Sequence, residues 1–254
     1  MSGTIRTKGG RGRLGSVLSG LAVAVGCVLF LGGFVWGALL YRPYTVPSDS
    51  MTPTLDVNSR VLAERVDGAE VKRGDVVVFN DPLWSSSPMV KRVVAVGGDT
   101  VACCDADGRL TVGGRAVDEP YLGPGVNGRT VASGQEFSVT VPEDSLFLLG
   151  DDRHTSLDSR SHLDEAGRGS VPRSMVVGRV DAVVWPAKGL LDRPTGFAGL
   201  PGGVSRPGPF TPLLTMIVAG GVLVLAGAAY GPVARLLDRR PGDRRAGVRT
   251  GAGV

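Results

Sequence analysis

The chain has 254 residues, with 28 basic against 24 acidic side chains and a net charge of +4, and its pI is near 9.2. Apolar residues at 43% and charged residues at 20% exclude a wholly disordered chain, and three cysteines are too few for a disulfide scaffold. A basic pI would suggest nucleic acid as a partner, but the placement of the charge argues against it. Residues 1–13 carry Arg6, Lys8, Arg11 and Arg13 and no acid, residues 235–254 carry six arginines against Asp238 and Asp243, and the 221 residues between them hold 18 bases and 22 acids. The positive charge belongs to two short tails, and the middle of the chain is mildly acidic.

Next to the first tail, residues 14–41 form a run of 28 without a charge. A bilayer core is crossed by roughly 20 apolar residues of helix, so a first transmembrane helix is expected here, with Trp36 and Tyr41 near its outer end, where aromatic rings favour the interface. Ala22-Val23-Ala24 resembles a signal-peptide cleavage site, but the apolar run continues to Leu40, beyond the roughly 7–15 residues of a cleaved signal. An uncleaved anchor is the better reading. Cys27 lies within it.

Residues 42–192 alternate short β-rich runs with turns. Strands are expected near 75–79, 89–96, 136–141, 145–149 and 175–185, with turns at Gly97-Gly98-Asp99 and Gly113-Gly114. No amphipathic helix of ten residues stands out. The expectation is a mainly β fold, a single all-β domain flanked by N- and C-terminal transmembrane helices. Cys103 and Cys104 are adjacent, and their redox state is left open, since a bridge between neighbours is geometrically demanding.

Residues 193–212 contain ten Gly or Pro in twenty, a linker composition. A second uncharged run of 28 spans 207–234, and a second transmembrane helix is expected over 213–234, although its Gly and Ala also fit a buried core helix. Each run carries a G-x-x-x-G, Gly33–Gly37 and Gly227–Gly231, a spacing that permits close helix approach, but these two pairs sit in opposite leaflets and are not expected to meet. Arginine and lysine excess marks the cytoplasmic side of a span. Both tails, 1–13 and 235–254, are therefore expected inside and residues 42–192 outside.

Four segments of the outer region carry chemistry. They are Pro47-Ser48-Asp49-Ser50-Met51-Thr52-Pro53-Thr54-Leu55, Arg73-Gly74-Asp75-Val76-Val77-Val78-Phe79, Val90-Lys91-Arg92-Val93-Val94-Ala95-Val96-Gly97-Gly98-Asp99, and Gly150-Asp151-Asp152-Arg153 followed by Ser156-Leu157-Asp158-Ser159-Arg160. A serine hydroxyl becomes a good nucleophile only when a neighbouring base takes its proton, and Ser–Lys pairs are a known form of that arrangement. A lysine can serve only when neutral, which burial among apolar groups favours. The chain has only four lysines, and Lys91 is the one set in a run of Val and Met. Arginine could not replace it, since its pKa stays above about 12.

This set of segments, in this order behind an N-terminal anchor, resembles the type I signal peptidases (leader peptidases) of bacteria. The resemblance covers roughly residues 30–186. It implies a membrane-bound serine endopeptidase that removes N-terminal signal peptides from exported preproteins after small residues at −1 and −3. It implies Ser50 as nucleophile and Lys91 as general base, with Ser48 in the oxyanion hole, Ser156 orienting the lysine, and Asp158 and Arg160 as a supporting ion pair. Tyr44, Val46, Met51, Leu55, Met89 and Val90 match substrate-binding positions, and Arg92, Asp99, Asp151 and Arg153 match positions of structural or unassigned role. The implied partners are signal peptides, the lipid bilayer of the bacterial plasma membrane and the protein-export machinery, with no metal, cofactor or nucleic acid. The fourth segment departs from the family's usual G-D-N-R-D, with Asp152 for Asn and His154 for Asp. That departure raises a rival, a histidine base at His154 or His162 with Asp158. Two rivals of another class are an inactive, membrane-anchored β domain that binds exported chains and a self-cleaving Ser–Lys repressor, which would need a DNA-binding module where this sequence has a span.

Overall fold

A computed structural model describes residues 10–123 and 131–238. Residues 1–9 and 239–254, most of the two basic tails, lie outside the described residues. The described residues form two compact units, residues 10–37 with 211–238, and the described part of 38–210.

The first unit is a pair of helices, α1 (Gly10–Leu40) and α2 (Phe210–Asp238). Their apolar stretches, Leu14–Leu40 and Phe210–Val233, reach about 36–40 Å at 1.5 Å per residue, enough to cross a bilayer. α1 gives way to a strand at Tyr41, just before Pro43, where a missing N–H and a fixed φ oppose further helix. The two helices run antiparallel. They pack closely where Gly26 meets Gly220: a Cβ on Gly26 would lie 2.8 Å from the Gly220 carbonyl oxygen. Ser19 Oγ donates to the Gly227 carbonyl at 2.8 Å. Gly33 lies against Ile217, Gly37 against Leu213 and Gly227 against Ser19 and Val23, so the two G-x-x-x-G pairs do not face each other, yet three of the four are packing glycines rather than incidental ones.

The second unit is β-rich, and its helices among the described residues are single 3-10 turns. The strands are β1 (Tyr41–Thr45), β2 (Arg60–Glu64), β3 (Val76–Phe79), β4 (Met89–Val96), β5 (Thr100–Cys103), β6 (Thr111–Val112), β7 (Arg115–Ala116), β8 (Phe137–Thr140), β9 (Ser145–Leu149), β10 (Ser170–Pro172), β11 (Val176–Trp185) and β12 (Gly189–Leu190). Among the described residues, one sheet runs β1-β2-β11-β3-β4-β9-β10 with β12 added on β11, and a smaller one runs β7-β6-β5-β8. The longer apolar runs are buried on both faces. In β3, Val76 and Val78 join one cluster with Met51 and Leu55, while Val77 and Phe79 join another with Leu146 and Leu148. The period-two alternation of a strand sorts them, and it explains why such strands read as continuous apolar runs.

Pairing along β4 positions the site. β3 pairs with β4 from Met89 to Arg92, and β9 pairs with its other edge only from Arg92 to Val96. At Met89–Lys91 that second edge has no strand beside it among the described residues.

The glycine- and proline-rich stretch, expected as a linker, is not free of the sheets. Phe197 and Leu200 are buried in the cluster that also holds Val101 and Leu149, Arg73 donates to the Pro201 carbonyl at 2.6 Å, and Arg193 pairs with Asp181. Irregular backbone here serves close packing as well as connection. The sulfurs of the adjacent Cys103 and Cys104 lie side by side.

Candidate active site

Ser50 stands on a tight turn after β1. Thr52 N–H donates to Asp49 and Leu55 N–H to Met51, each at 2.8 Å, and the fully buried Met51 and Leu55 pin that turn into the apolar cluster beneath. A short segment with two buried anchors thus holds one serine at a fixed height. Lys91 comes from the open edge of β4. Its Nζ lies 2.6 Å from Ser50 Oγ, a buried hydrogen bond between amine and hydroxyl. Ser48 Oγ lies 3.2 Å from the same oxygen.

Lys91 is 4% exposed. Burial lowers its pKa from the usual lysine value, against the pull of the Asp158 and Asp151 carboxylates, and the Arg160 charge adds to the lowering. A desolvated amine with no carboxylate in ion-pair contact among the described residues is biased toward its neutral, proton-accepting form.

The fourth segment backs the pair. Asp152 N–H donates to the Ser50 carbonyl at 3.1 Å. A Cβ on Gly150 would run into that carbonyl and the Ser156 side chain, so this close approach admits only glycine. Asp158 is fully buried. It accepts from Gly150 N–H at 3.0 Å and from Arg160 Nε at 2.9 Å and Nη2 at 2.8 Å. Burial favours its protonated form, but Arg160 and the Gly150 N–H outweigh it and hold its pKa below the ordinary carboxylate value. Ser156 Oγ is buried and near enough to Asp158 to favour that carboxylate's charge, but it reaches no hydrogen-bond geometry with any partner. The expected contact on Lys91 is absent from this arrangement.

A cavity of about 210 Å³ opens on Ser50 and Lys91. Of the six expected substrate-binding residues, Val46, Met51, Met89 and Val90 line it, whereas Tyr44 and Leu55 pack in the cluster behind. Pro47, Asp49, Thr155 and Leu157 also line it, and sequence reasoning had not singled them out for it. Pro47 and Asp49 lie in the first segment and Leu157 in the fourth, whereas Thr155 falls between the two halves of the fourth.

Strand alternation sends Arg92 to the opposite face from Lys91. There it donates to both oxygens of Asp151 at 2.8 and 2.6 Å, lies 3.9 Å over the Tyr121 ring, and is joined by Thr54, whose hydroxyl donates to Asp151 at 2.5 Å. Arg153 makes a second such pair with Glu119, and Arg73 a third with Asp99. Glu119 and Tyr121 lie outside all four segments, and no local pattern pointed to them. Neither histidine reaches the serine. His154 is exposed, and His162 stacks on Trp84 at 4.2 Å with its Nδ1 2.6 Å from Glu165.

The model of the family "Signal peptidase, peptidase S26" matches residues 17–185. The chain is 33% identical over 200 residues to a signal peptidase I of Mycobacterium tuberculosis, covering 60% of this chain and 68% of that one. It is 32% identical over 207 residues to a probable signal peptidase I of Mycobacterium leprae, covering 60% and 71%, and 32% identical over 174 residues to signal peptidase I S of Bacillus subtilis, covering 65% and 86%. Against the crystal structure of a signal peptidase I from Enterococcus faecalis the identity is 29% and the TM-score 0.34, over 42% of this chain and 94% of that one. The family match spans both Ser50 and Lys91, and with it the chain belongs to the signal peptidase family, peptidase S26.

Proposed function

We propose that this protein is a membrane-bound serine endopeptidase that cuts signal peptides from exported preproteins with a Ser50–Lys91 dyad. The observation that carries the reading is the 2.6 Å contact between Lys91 Nζ and Ser50 Oγ in a buried setting, together with the downward shift that burial imposes on the lysine. Neutral Lys91 takes the Ser50 proton as Oγ attacks the scissile carbonyl. The developing oxyanion meets the Ser48 hydroxyl and the Ser50 N–H. Lys91 then gives its proton to the leaving amine, and an ester on Ser50 remains. A water deprotonated by Lys91 attacks that ester and frees the signal peptide. Asp158, fixed by Arg160, keeps the lysine's surroundings in place, with Ser156 packed against the same turn.

The substrate lies extended beside residues 44–48 and 88–91, adding a strand. The open edge of β4 at Met89–Lys91 supports this placement. A cavity of about 210 Å³ lined by Val46, Met51, Met89 and Val90 suits small side chains at −1 and −3, and Tyr44 and Leu55 limit its depth from behind. The helices cross the plasma membrane with both termini cytoplasmic, and residues 42–192 face outward. That topology sets Ser50 close to the surface where a membrane-held signal peptide emerges, with signal peptides, lipid and the export machinery as partners.

The test is cleavage of a preprotein by the full chain in detergent. Ser50→Ala and Lys91→Ala should each lower the rate by roughly 10⁴-fold or more without loss of thermal stability. A Lys91→Ala variant of full activity would overturn the dyad.

A further inference from the structure

Leu157 is 75% exposed, and the residues on either side of it, Ser156 and Asp158, are 8% and 0% exposed. Its backbone is held on both sides. Ser156 N–H donates to the Asp152 carbonyl at 3.1 Å, and Asp158 is clamped by Arg160 and Gly150. A branched apolar side chain is thus presented to solvent from a fixed support, on the wall of the cavity that contains Ser50 and Lys91.

The sheet register gives that wall a direction. β9 ends at Leu149, opposite Arg92. The segment that follows it, residues 150–158, begins where the open edge of β4 stops. A substrate laid along Met89–Lys91, with its scissile carbonyl at Ser50, has its −3 to −1 residues beside the open edge. Past Lys91 that edge is closed by β9, so a substrate running parallel to β4 would leave the site toward the 150–158 segment, whose Thr155 and Leu157 line the cavity.

We propose that Leu157 is a specificity-determining residue for the first two residues after the scissile bond, favouring apolar side chains there and opposing charged ones. The inference rests on the Ser50–Lys91 reading. Its physical basis is the apolar surface of Leu157, which is wet in the free protein and is covered when an apolar +1 or +2 side chain docks. A charged side chain in that place would lose hydration and gain no partner.

The experiment uses the full chain in detergent and two series of preproteins. One series varies +1 and +2 among Leu, Ala, Glu and Lys with Ala kept at −1 and −3. The other varies −1 and −3 with +1 and +2 fixed. The unmodified protein should favour Leu over Glu or Lys in the first series by roughly three- to tenfold in kcat/KM. Leu157→Ala should flatten that ratio, Leu157→Glu should turn it toward Lys, and Leu157→Met should restore it. The −1 and −3 ratios should not move. Unchanged +1 and +2 ratios in the Ala and Glu variants, or a change confined to −1 and −3, would overturn the proposal. Ser50→Ala is measured alongside: cleavage by that variant refutes the dyad itself, whereas an inactive Ser50→Ala with unmoved ratios refutes only the role of Leu157.

Discussion

Lys91 and Arg92 are consecutive on β4 and almost equally buried, at 4% and 1% exposure, yet their surroundings treat their charges in opposite ways. Arg92 meets a bidentate carboxylate, a carbonyl and an aromatic face. Burial disfavours its charge, but Asp151 more than compensates and drives its pKa upward. Lys91 meets a serine hydroxyl at 2.6 Å, with Asp158 already engaged by Arg160, and its pKa moves downward because burial dominates. Burial alone therefore does not make a base. One face of the strand satisfies its cation and becomes scaffold, and the other leaves its cation without a carboxylate, as the proposed dyad requires of its base.

The contrast can be broken most severely by making the two residues alike. Lys91→Arg keeps the positive charge but removes a group that can deprotonate, and activity should fall by roughly 10³-fold or more even where the protein still folds. Assays across pH carry the same point: kcat/KM of the unmodified chain should rise and level off at a lower pH than an ordinary lysine base would give.

A smaller effect is expected on the scaffold face. Arg92→Met leaves the Asp151 carboxylate, 0% exposed in its side chain, without its ion pair, and the loss should be about 3–5 kcal/mol. Denaturant melts measure it. Arg92→Met combined with Asp151→Leu should recover most of that loss, because both charges leave together.

The smallest effect runs in the stabilising direction. The pKa of Lys91 is lower in the folded chain than in the unfolded one, so unfolding takes up a proton between the folded value and the unfolded value near 10.4. The resulting penalty on the folded state is full below the folded pKa, shrinks as pH rises through it, and vanishes near the unfolded value. Lys91→Met should therefore abolish activity and raise stability at pH 7, by about 1.4 kcal/mol for each unit of depression. The gain should shrink in melts repeated toward pH 10, and a pH-independent gain would contradict a depressed lysine.

Much of the fold was legible where the chain is apolar on both faces. The runs at 89–96 and 145–149 appear as β4 and β9 with those same bounds, since a strand covered on both sides needs an unbroken apolar run. β1, β2 and β10 are among the strands that were not foreseen. They are short, mix polar with apolar residues, and sit toward the ends of the sheet order, where neighbours rather than local preference decide pairing. The Gly/Pro-rich stretch misled for a related reason. Its composition disfavours long regular elements, but composition does not show that Phe197 and Leu200 find a core to enter.

The sequence by itself determined the two apolar helices and the β-rich character between them, because charge-free length and apolar runs are local properties of the chain, and its resemblance to the signal peptidases singled out Ser50 and Lys91 as candidates. The tertiary structure decided which of two adjacent cations is left without a carboxylate. It also decided that Glu119, Tyr121 and Thr54 complete the scaffold, and that Leu157 faces the cavity with the serine. Those outcomes depend on strand register and on which groups from distant segments arrive at one place, and proximity across 41 residues, as between Ser50 and Lys91, exists only after the sheet has formed.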